Sequence, residues 1–440
     1  SLYIKEFKNL KIPLYLHLQF LKFNTIMKKI LFCFLFISCF LAISESQAQG
    51  FTNCVYNITE QRWEKPGGTG EPCTNTIITS VPFLRITPDA RSGAMGDAGI
   101  AISPDANSIH YNSSKLAFAE KDLSLSATYT PWLRALGLND VYMAYLSGYK
   151  QVDKLSAIGF GLRYFSLGQI SYTTDTGQEN GTGKPNEFEI SAAYARKLSD
   201  NFSLSLGGKF IYSNLAAGQR VGAIEINPGT AGAVDFGLTW KKDIELSGNQ
   251  TDLTIGAAIT NLGTKISYTN SANKDFIPTN LGIGAAWEFQ FDEYNSFTIT
   301  ADLNKLLVPT PCISSNDPSV PSCDEDQDGI LDYKQKSVVG GLLGSFTDAQ
   351  GGAGEEFREI NYSIGMEYWY DKQFAVRAGY YTEAQTKGNR QYFTVGLGLK
   401  YNVFGLNFSY LVPTTSQRNP LDNTLRFSLI FDFEAFEDDE

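Results

Sequence analysis

The chain has 440 residues, with 36 Lys+Arg against 47 Asp+Glu, 19% charged residues and 13% aromatics, including 30 Phe and 23 Tyr beside 40 Gly. A soluble domain carries roughly 25% charged residues, so this chain is short of charge, yet its mean hydropathy of -0.17 is too polar for a bundle of membrane helices. The net charge of -11 excludes the basic stripe that a nucleic-acid partner requires, and Gly, Tyr, Phe, Ser and Thr standing in for charge is the composition of a β-barrel in an outer membrane.

Taken in chain order, the first segment is a processing signal. Met27 is followed by Lys28-Lys29, the apolar run Ile30–Ile43 and then Ser44-Glu45-Ser46-Gln47-Ala48, a basic region, an apolar region and a small-x-small cleavage site. The apolar run falls short of the ~20 residues of a spanning helix. Residues 27–48 are therefore expected to be a signal peptide cleaved after Ala48, and residues 1–26 an upstream stretch that does not belong to the working protein. Cys54, Cys73, Cys312 and Cys323 then remain as an even number in an oxidising compartment. Their spacing as two local pairs predicts bridges 54–73 and 312–323. His110 is the one histidine left after cleavage, which excludes any site built on two imidazoles and speaks against an enzyme.

Residues 49–120 lack strand rhythm. Phe83-Leu84-Arg85-Ile86 leads into Pro88-Asp89-Ala90-Arg91-Ser92-Gly93-Ala94-Met95-Gly96-Asp97-Ala98-Gly99, followed by Asp105-Ala106-Asn107 and His110-Tyr111-Asn112-Ser113-Ser114-Lys115-Leu116. Asp89 and Asp105 each stand where an N-cap would precede a short helix. Small residues let backbones approach closely, so the stretch is expected to pack inside a barrel as an N-terminal plug of short helices. Arg91 and Asp89 either pair to orient it or serve only the helix cap, and His110 is expected to be hydrogen-bonded within it.

From Leu123 onward, apolar and polar residues alternate in blocks separated by turn residues. Phe202, Leu204, Leu206, Gly208 and Phe210 share one face, and Ser203, Ser205, Gly207, Lys209 and Ile211 the other. The first suits lipid and the second a hydrated lumen. About fourteen such segments are predicted, starting near Leu123, Val141, Leu155, Phe188, Phe202, Ala233, Asp252, Pro278, Ser296, Glu359, Phe374, Gln391, Phe404 and Thr424. Connections after even-numbered strands are mostly tight (Lys150–Lys154, Ser199–Asn201, Gln290–Asn295, Asp371–Gln373, Asn402–Val403). Those after odd-numbered strands are long and rich in Gly, Asn and Thr (Gly168–Glu187, Ser213–Gly232, Thr260–Ile277, Asn304–Arg358). That parity is the signature of a closed all-β transmembrane barrel, here over residues 121–434, with its long loops, 304–358 among them, facing the cell exterior. Residues 435–440 form an acidic tail.

Within the longest loop, Asp324-Glu325-Asp326-Gln327-Asp328-Gly329-Ile330-Leu331-Asp332 places carboxylates at alternate positions around a Gly that permits a sharp turn, a pattern that wraps oxygen ligands around a hard cation. Position 12 of an EF-hand loop would be a bidentate Glu and is Gln335 here, so the stretch is similar instead to short calcium loops such as thrombospondin type 3 repeats. Asp324, Asp326, Asp328 and Asp332 are the expected ligands of a structural Ca2+, stapled on one side by Cys312–Cys323. The alternative is a solvated acidic loop.

The motif Pro88–Gly99, with Asp89, Arg91, Gly93, Gly96 and Gly99, the step Asn112-Ser113-Ser114-Lys115-Leu116 and the barrel that follows together resemble the PorV family of the type IX secretion system, a branch of the fourteen-stranded fatty-acid-transporter-like barrels of Bacteroidetes outer membranes. Phe83–Ala101 carries the most specific part. Transporter relatives typically read Asn-Pro-Ala where this chain reads Asn112-Ser113-Ser114. The resemblance implies a non-enzymatic secretion component whose partners are the type IX translocon barrel, the C-terminal domains of cargo proteins and a surface sortase-type attachment protein. The rival is an outer-membrane transporter of hydrophobic small molecules.

Overall fold

The computed structural model describes residues 55–57, 62–64, 75–134, 137–173, 177–221, 224–246, 249–269, 274–312, 323–349, 352–414 and 423–433. The expected signal peptide, Cys54, Cys73 and the acidic tail lie outside these. The chain divides into two units, residues 1–69 and 70–440. The described part of the first is a hairpin pairing Val55–Asn57 with Arg62–Glu64.

The second unit is a closed barrel of fourteen antiparallel strands. They are β1 (Leu123–Pro131), β2 (Val141–Asp153), β3 (Ser156–Leu167), β4 (Asn186–Ser199), β5 (Phe202–Asn214), β6 (Gly229–Leu246), β7 (Asn249–Gly263), β8 (Asn280–Gln290), β9 (Asn295–Leu306), β10 (Ile360–Tyr370), β11 (Phe374–Thr382), β12 (Gln391–Tyr401), β13 (Phe404–Pro413) and β14 (Leu425–Phe433). Each pairs with its neighbour in sequence, and β14 closes on β1 from Phe427↔Tyr129 to Phe433↔Leu123. No helix among the described residues is long and apolar enough to cross a membrane. Closure leaves no strand edge unpaired, as a lipid surround demands.

The period-two pattern sorts the side chains as the sequence predicts. Along β5, Leu204, Leu206 and Phe210 face outward while Ser203, Ser205, Lys209 and Ile211 are buried on the inner face. Every connection after an even-numbered strand is short and every one after an odd-numbered strand is long. Two of the long ones carry hairpins of their own, Ile170–Thr173 with Glu179–Gly183 and Arg220–Val221 with Ile224–Glu225. The longest, between Leu306 and Ile360, holds helices Asp332–Gln335, Val338–Gly344 and Ala353–Arg358.

The inner face is packed. The chain ahead of β1 forms a 3-10 turn at Pro82–Arg85, short helices at Ala90–Gly93 and Ser108–Tyr111, and a 3-10 run at Ser113–Phe118. Ser113–Phe118 packs against β3, β4, β5 and β6, and Ala90–Gly93 against β12, β13 and β14. Inward polar side chains such as Ser203, Thr239 and Asp302 therefore bond to this stretch of chain.

Candidate functional site: the internal segment and the long-loop rim

Asp89 has the N-cap role expected of it. Its Oδ2 accepts the Ser92 N–H at 2.9 Å, satisfying one of the free donors at a helix start, and its Oδ1 accepts the Tyr111 hydroxyl at 2.7 Å. Asp105 does not cap its helix; the N-cap there is Asn107. Asp105 Oδ1 accepts the Asn107 N–H at 2.8 Å instead, and its Oδ2 lies 3.2 Å from Arg91 Nη1. Asp89 and Arg91 are thus divided between two tasks. Arg91 donates from Nε (3.0 Å) and Nη2 (2.7 Å) to the carboxylate of Glu367 on β10. Arg377 on β11 donates to the same carboxylate at 2.5 Å and to Asn407 at 2.8 Å.

The motif glycines are explained by proximity. A Cβ at Gly93 would lie 2.9 Å from Arg426 Nη1, and one at Gly99 would lie 2.5 Å from the Tyr111 ring. Gly96 combines a left-handed φ of 66° with the Tyr380 backbone 2.5 Å from any added Cβ, so only glycine fits there. Pro88 is buried just ahead of the cap. Asn112 is a hub: its Nδ2 donates to Leu238 O (3.1 Å) and Thr239 Oγ1 (3.0 Å) on β6, while its Oδ1 accepts from Ser114 N–H and Oγ. Asp302 on β9 accepts the N–H groups of Gly99 (2.7 Å) and Ile100 (2.9 Å). Lys115 Nζ donates to Gly99 O at 2.5 Å.

Arg163 on β3 donates to Phe83 O at 3.0 Å and to His110 Nδ1 at 2.5 Å, and Lys209 on β5 pairs with Asp235 on β6 at 2.9 Å. The segment stands out in the sequence, but Arg163, Asp302, Glu367, Arg377 and Arg426 on the wall do not. The available signal was a lone charge on a strand face otherwise made of Gly, Ser and Thr. Between segment and wall lies a cavity of about 370 Å³ whose lining mixes Phe83, Trp132 and Phe165 with Asp302, Arg390 and Arg426.

On the long-loop rim, Cys312 and Cys323 form a disulfide with Cα atoms 5.6 Å apart. In the acidic turn that follows, carboxylate oxygens of Asp324, Asp326 and Asp332 lie within 4.8 Å of one another. Asp324 accepts the N–H groups of Asp328 (3.1 Å) and Gly329 (2.9 Å). Asp328 stands outside that triad and accepts Ile330 N–H at 2.7 Å and the Gln335 amide at 3.0 Å. Three converging carboxylates fit a hard cation; the Gln335 amide occupies the side where a bidentate Glu would stand. Nearby, the hydrogen bond from Lys334 to Asp275, 2.8 Å away, holds the ammonium above its ordinary pKa. Val339 (65% exposed), Leu343 (65%) and Phe357 (68%) turn apolar side chains outward from the same connection.

The family model described as type IX secretion system protein PorV matches residues 70–313. No curated protein sequence matches the chain. Among solved structures, the Pseudomonas putida toluene transporter TodX is similar at 13% identity and a TM-score of 0.43, over 78% of this chain and 96% of that one. A FadL homologue of Pseudomonas aeruginosa is similar at 11% identity and a TM-score of 0.38, over 82% and 100%. Omp33 of Acinetobacter baumannii is similar at 6% and 0.33, over 71% and 98%.

Proposed function

From a chain that belongs to the PorV family of type IX secretion system proteins and is integral to the outer membrane, we propose a non-enzymatic receiving barrel. In this reading it binds secreted cargo by the cargo's C-terminal domain beside the translocon barrel and passes it to the sortase-type attachment protein at the cell surface. The family match carries the reading. It is supported by the rim, where long connections gather on one side and Val339, Leu343 and Phe357 leave apolar surface outward, since exposed apolar clusters mark interaction sites. The internal segment acts as a fixed plug, held by Arg91–Glu367 and Asn112–Thr239, so that the barrel serves as a docking post rather than a conduit. Asp324, Asp326 and Asp332, with Asp328 beside them, take up Ca2+ and hold the Leu306–Ile360 connection in shape at the millimolar concentrations found outside cells.

The second reading, a channel for hydrophobic small molecules, has the cavity in its favour. Its Asp302, Arg390 and Arg426 lining makes a poor bed for an apolar ligand, because such groups lose hydration without gaining a partner. The test is affinity isolation of the tagged protein from native outer membranes in mild detergent with calcium, followed by mass spectrometry. The secretion reading expects a very large barrel and secreted proteins that share a C-terminal domain. These should be lost when Val339, Leu343 and Phe357 are replaced together by Ser. Recovery of the protein alone, carrying acyl ligands, favours the channel.

A further inference from the structure

The internal segment has a direction, and it is the reverse of a simple periplasmic plug. Its earliest described residues sit among the long connections. The Asn75 N–H donates to Thr386 O at 2.9 Å, in the β11–β12 connection. Asn75 Nδ2 donates to Glu355 at 3.1 Å, on the helix just ahead of β10. Ile77 packs with Phe276, Leu306 and Val308, and the Ser80 N–H donates to Phe276 O at 2.9 Å, in the β7–β8 connection. Val81, Phe83 and Leu84 then pack beneath them with Val141, Phe165 and Ile277.

The other end of the segment lies beside the short turns. Leu116 and Ala117 pack with Tyr149, Ala157 and Ala195. Gln151 Nε2 donates to Leu116 O at 3.2 Å and to Ala119 O at 3.0 Å. These partners flank the tight turns Asp153–Ser156 and Ser199–Phe202, and β1 starts from that same rim. The segment therefore runs the full depth of the barrel, from long loops to short turns.

In outer-membrane barrels the short turns face the periplasm and the long loops face the exterior. We infer that Asn75–Val81 is a strap at the cell-surface rim and that the described chain from Asn75 to β1 threads the barrel from outside to inside. The strap is fixed by more than its own hydrogen bonds. Glu355, which holds Asn75, is paired with Lys387 at 2.5 Å, and Lys387 with Glu359 at 3.0 Å. Glu359 also takes Lys305 at 2.6 Å. The cluster joins the strap, the longest connection and the β11–β12 connection in one charge-paired group, and Ile77 and Val81 are buried beneath it. Leaving the rim would break the Asn75–Glu355 hydrogen bond and expose both side chains.

Ile78 supplies the test, because its side chain is 69% exposed on the strap. The full-length I78C variant is expressed in outer membranes and treated with a membrane-impermeant maleimide, on intact cells and after permeabilisation. E293C, in the short turn between β8 and β9, is the periplasmic control, and the unmodified chain sets the background from native cysteines. Folded state is checked by the mobility of unheated samples on a gel. The expected result is full labelling of I78C on intact cells, with E293C labelled only after permeabilisation. Labelling of I78C only after permeabilisation overturns the inference. The readout is position alone, so loss of cargo or translocon binding leaves it untouched.

Discussion

Arg91 and Glu367 lie 276 residues apart in sequence, yet two hydrogen bonds join them in the interior, where a charge without a partner is costly. Arg377 completes the arrangement by taking the same carboxylate from the next strand. Truncation at Arg91 leaves Glu367 with one partner and removes the contact to Asp105. R91A is expected to lower the stability of the folded barrel by about 3–5 kcal/mol, the range for breaking a buried pair, measured by urea unfolding in a bilayer or detergent. R91K should recover only part of this, since an ammonium cannot reproduce the bidentate fork; full recovery would show that charge alone matters. At this scale the sequence was half legible. Asp89 announced itself by standing before a run of small residues, and Arg91 by sitting inside it. Glu367 and Arg377 gave no such sign, because each is a single charge in an otherwise ordinary alternating strand.

At the scale of elements, the wall is shaped to the segment. Gly365 on β10 faces Gly379 on β11, and Gly396 on β12 lies opposite Arg377, close by. A Cβ at Gly365 would lie 2.5 Å from Met95 Cβ, and one at Gly379 would run into the Met95–Gly96 backbone. The Gly96 N–H completes the contact by donating to Thr394 on β12 at 2.8 Å. Gly208 on β5, by contrast, has open space around its Cα. G379A is accordingly expected to impair assembly of the folded, heat-modifiable form, and G208A to change stability by less than about 0.5 kcal/mol, the ordinary range for surface substitutions. Equal effects of the two would contradict a wall fitted to the segment. The sequence could not separate them, since both glycines sit in alternating strands and only the packing partner differs.

The acidic turn is the other element with a clear test. D326A/D328A is expected to raise protease cleavage between Leu306 and Ile360 while the barrel stays folded, and calcium should protect that connection in the unmodified chain alone. Protection that is equal with and without calcium in the unmodified chain removes the ion from the account. Carboxylate oxygens of Asp324, Asp326 and Asp332, three of the four acids the pattern named, lie within 4.8 Å of one another. The pattern could not show that Gln335 would draw Asp328 toward itself.

For the molecule as a whole, the architecture was the most legible feature. Strand starts fall within four residues of those expected, and the alternation of short and long connections holds all the way round. Both follow from strong constraints: lipid fixes the outward face at every second residue, and closure fixes the parity of the turns. What the sequence concealed was which inward residues meet the chain ahead of β1. A polar inward face is the same in composition whether it meets water or a buried peptide, so Ser203, Thr239 and Asp302 read as lumen lining although Ser114, Asn112 and Gly99 are their partners.

That filling has a thermodynamic consequence. The segment bonds to β3, β5, β6, β9, β10, β12 and β14, on both sides of the ring. Drawing it out would strand buried donors and charges on all of those strands at once, and opening the ring would do the same to the segment. Ring and filling are therefore expected to melt in one transition, which differential scanning calorimetry of the detergent-solubilised protein checks.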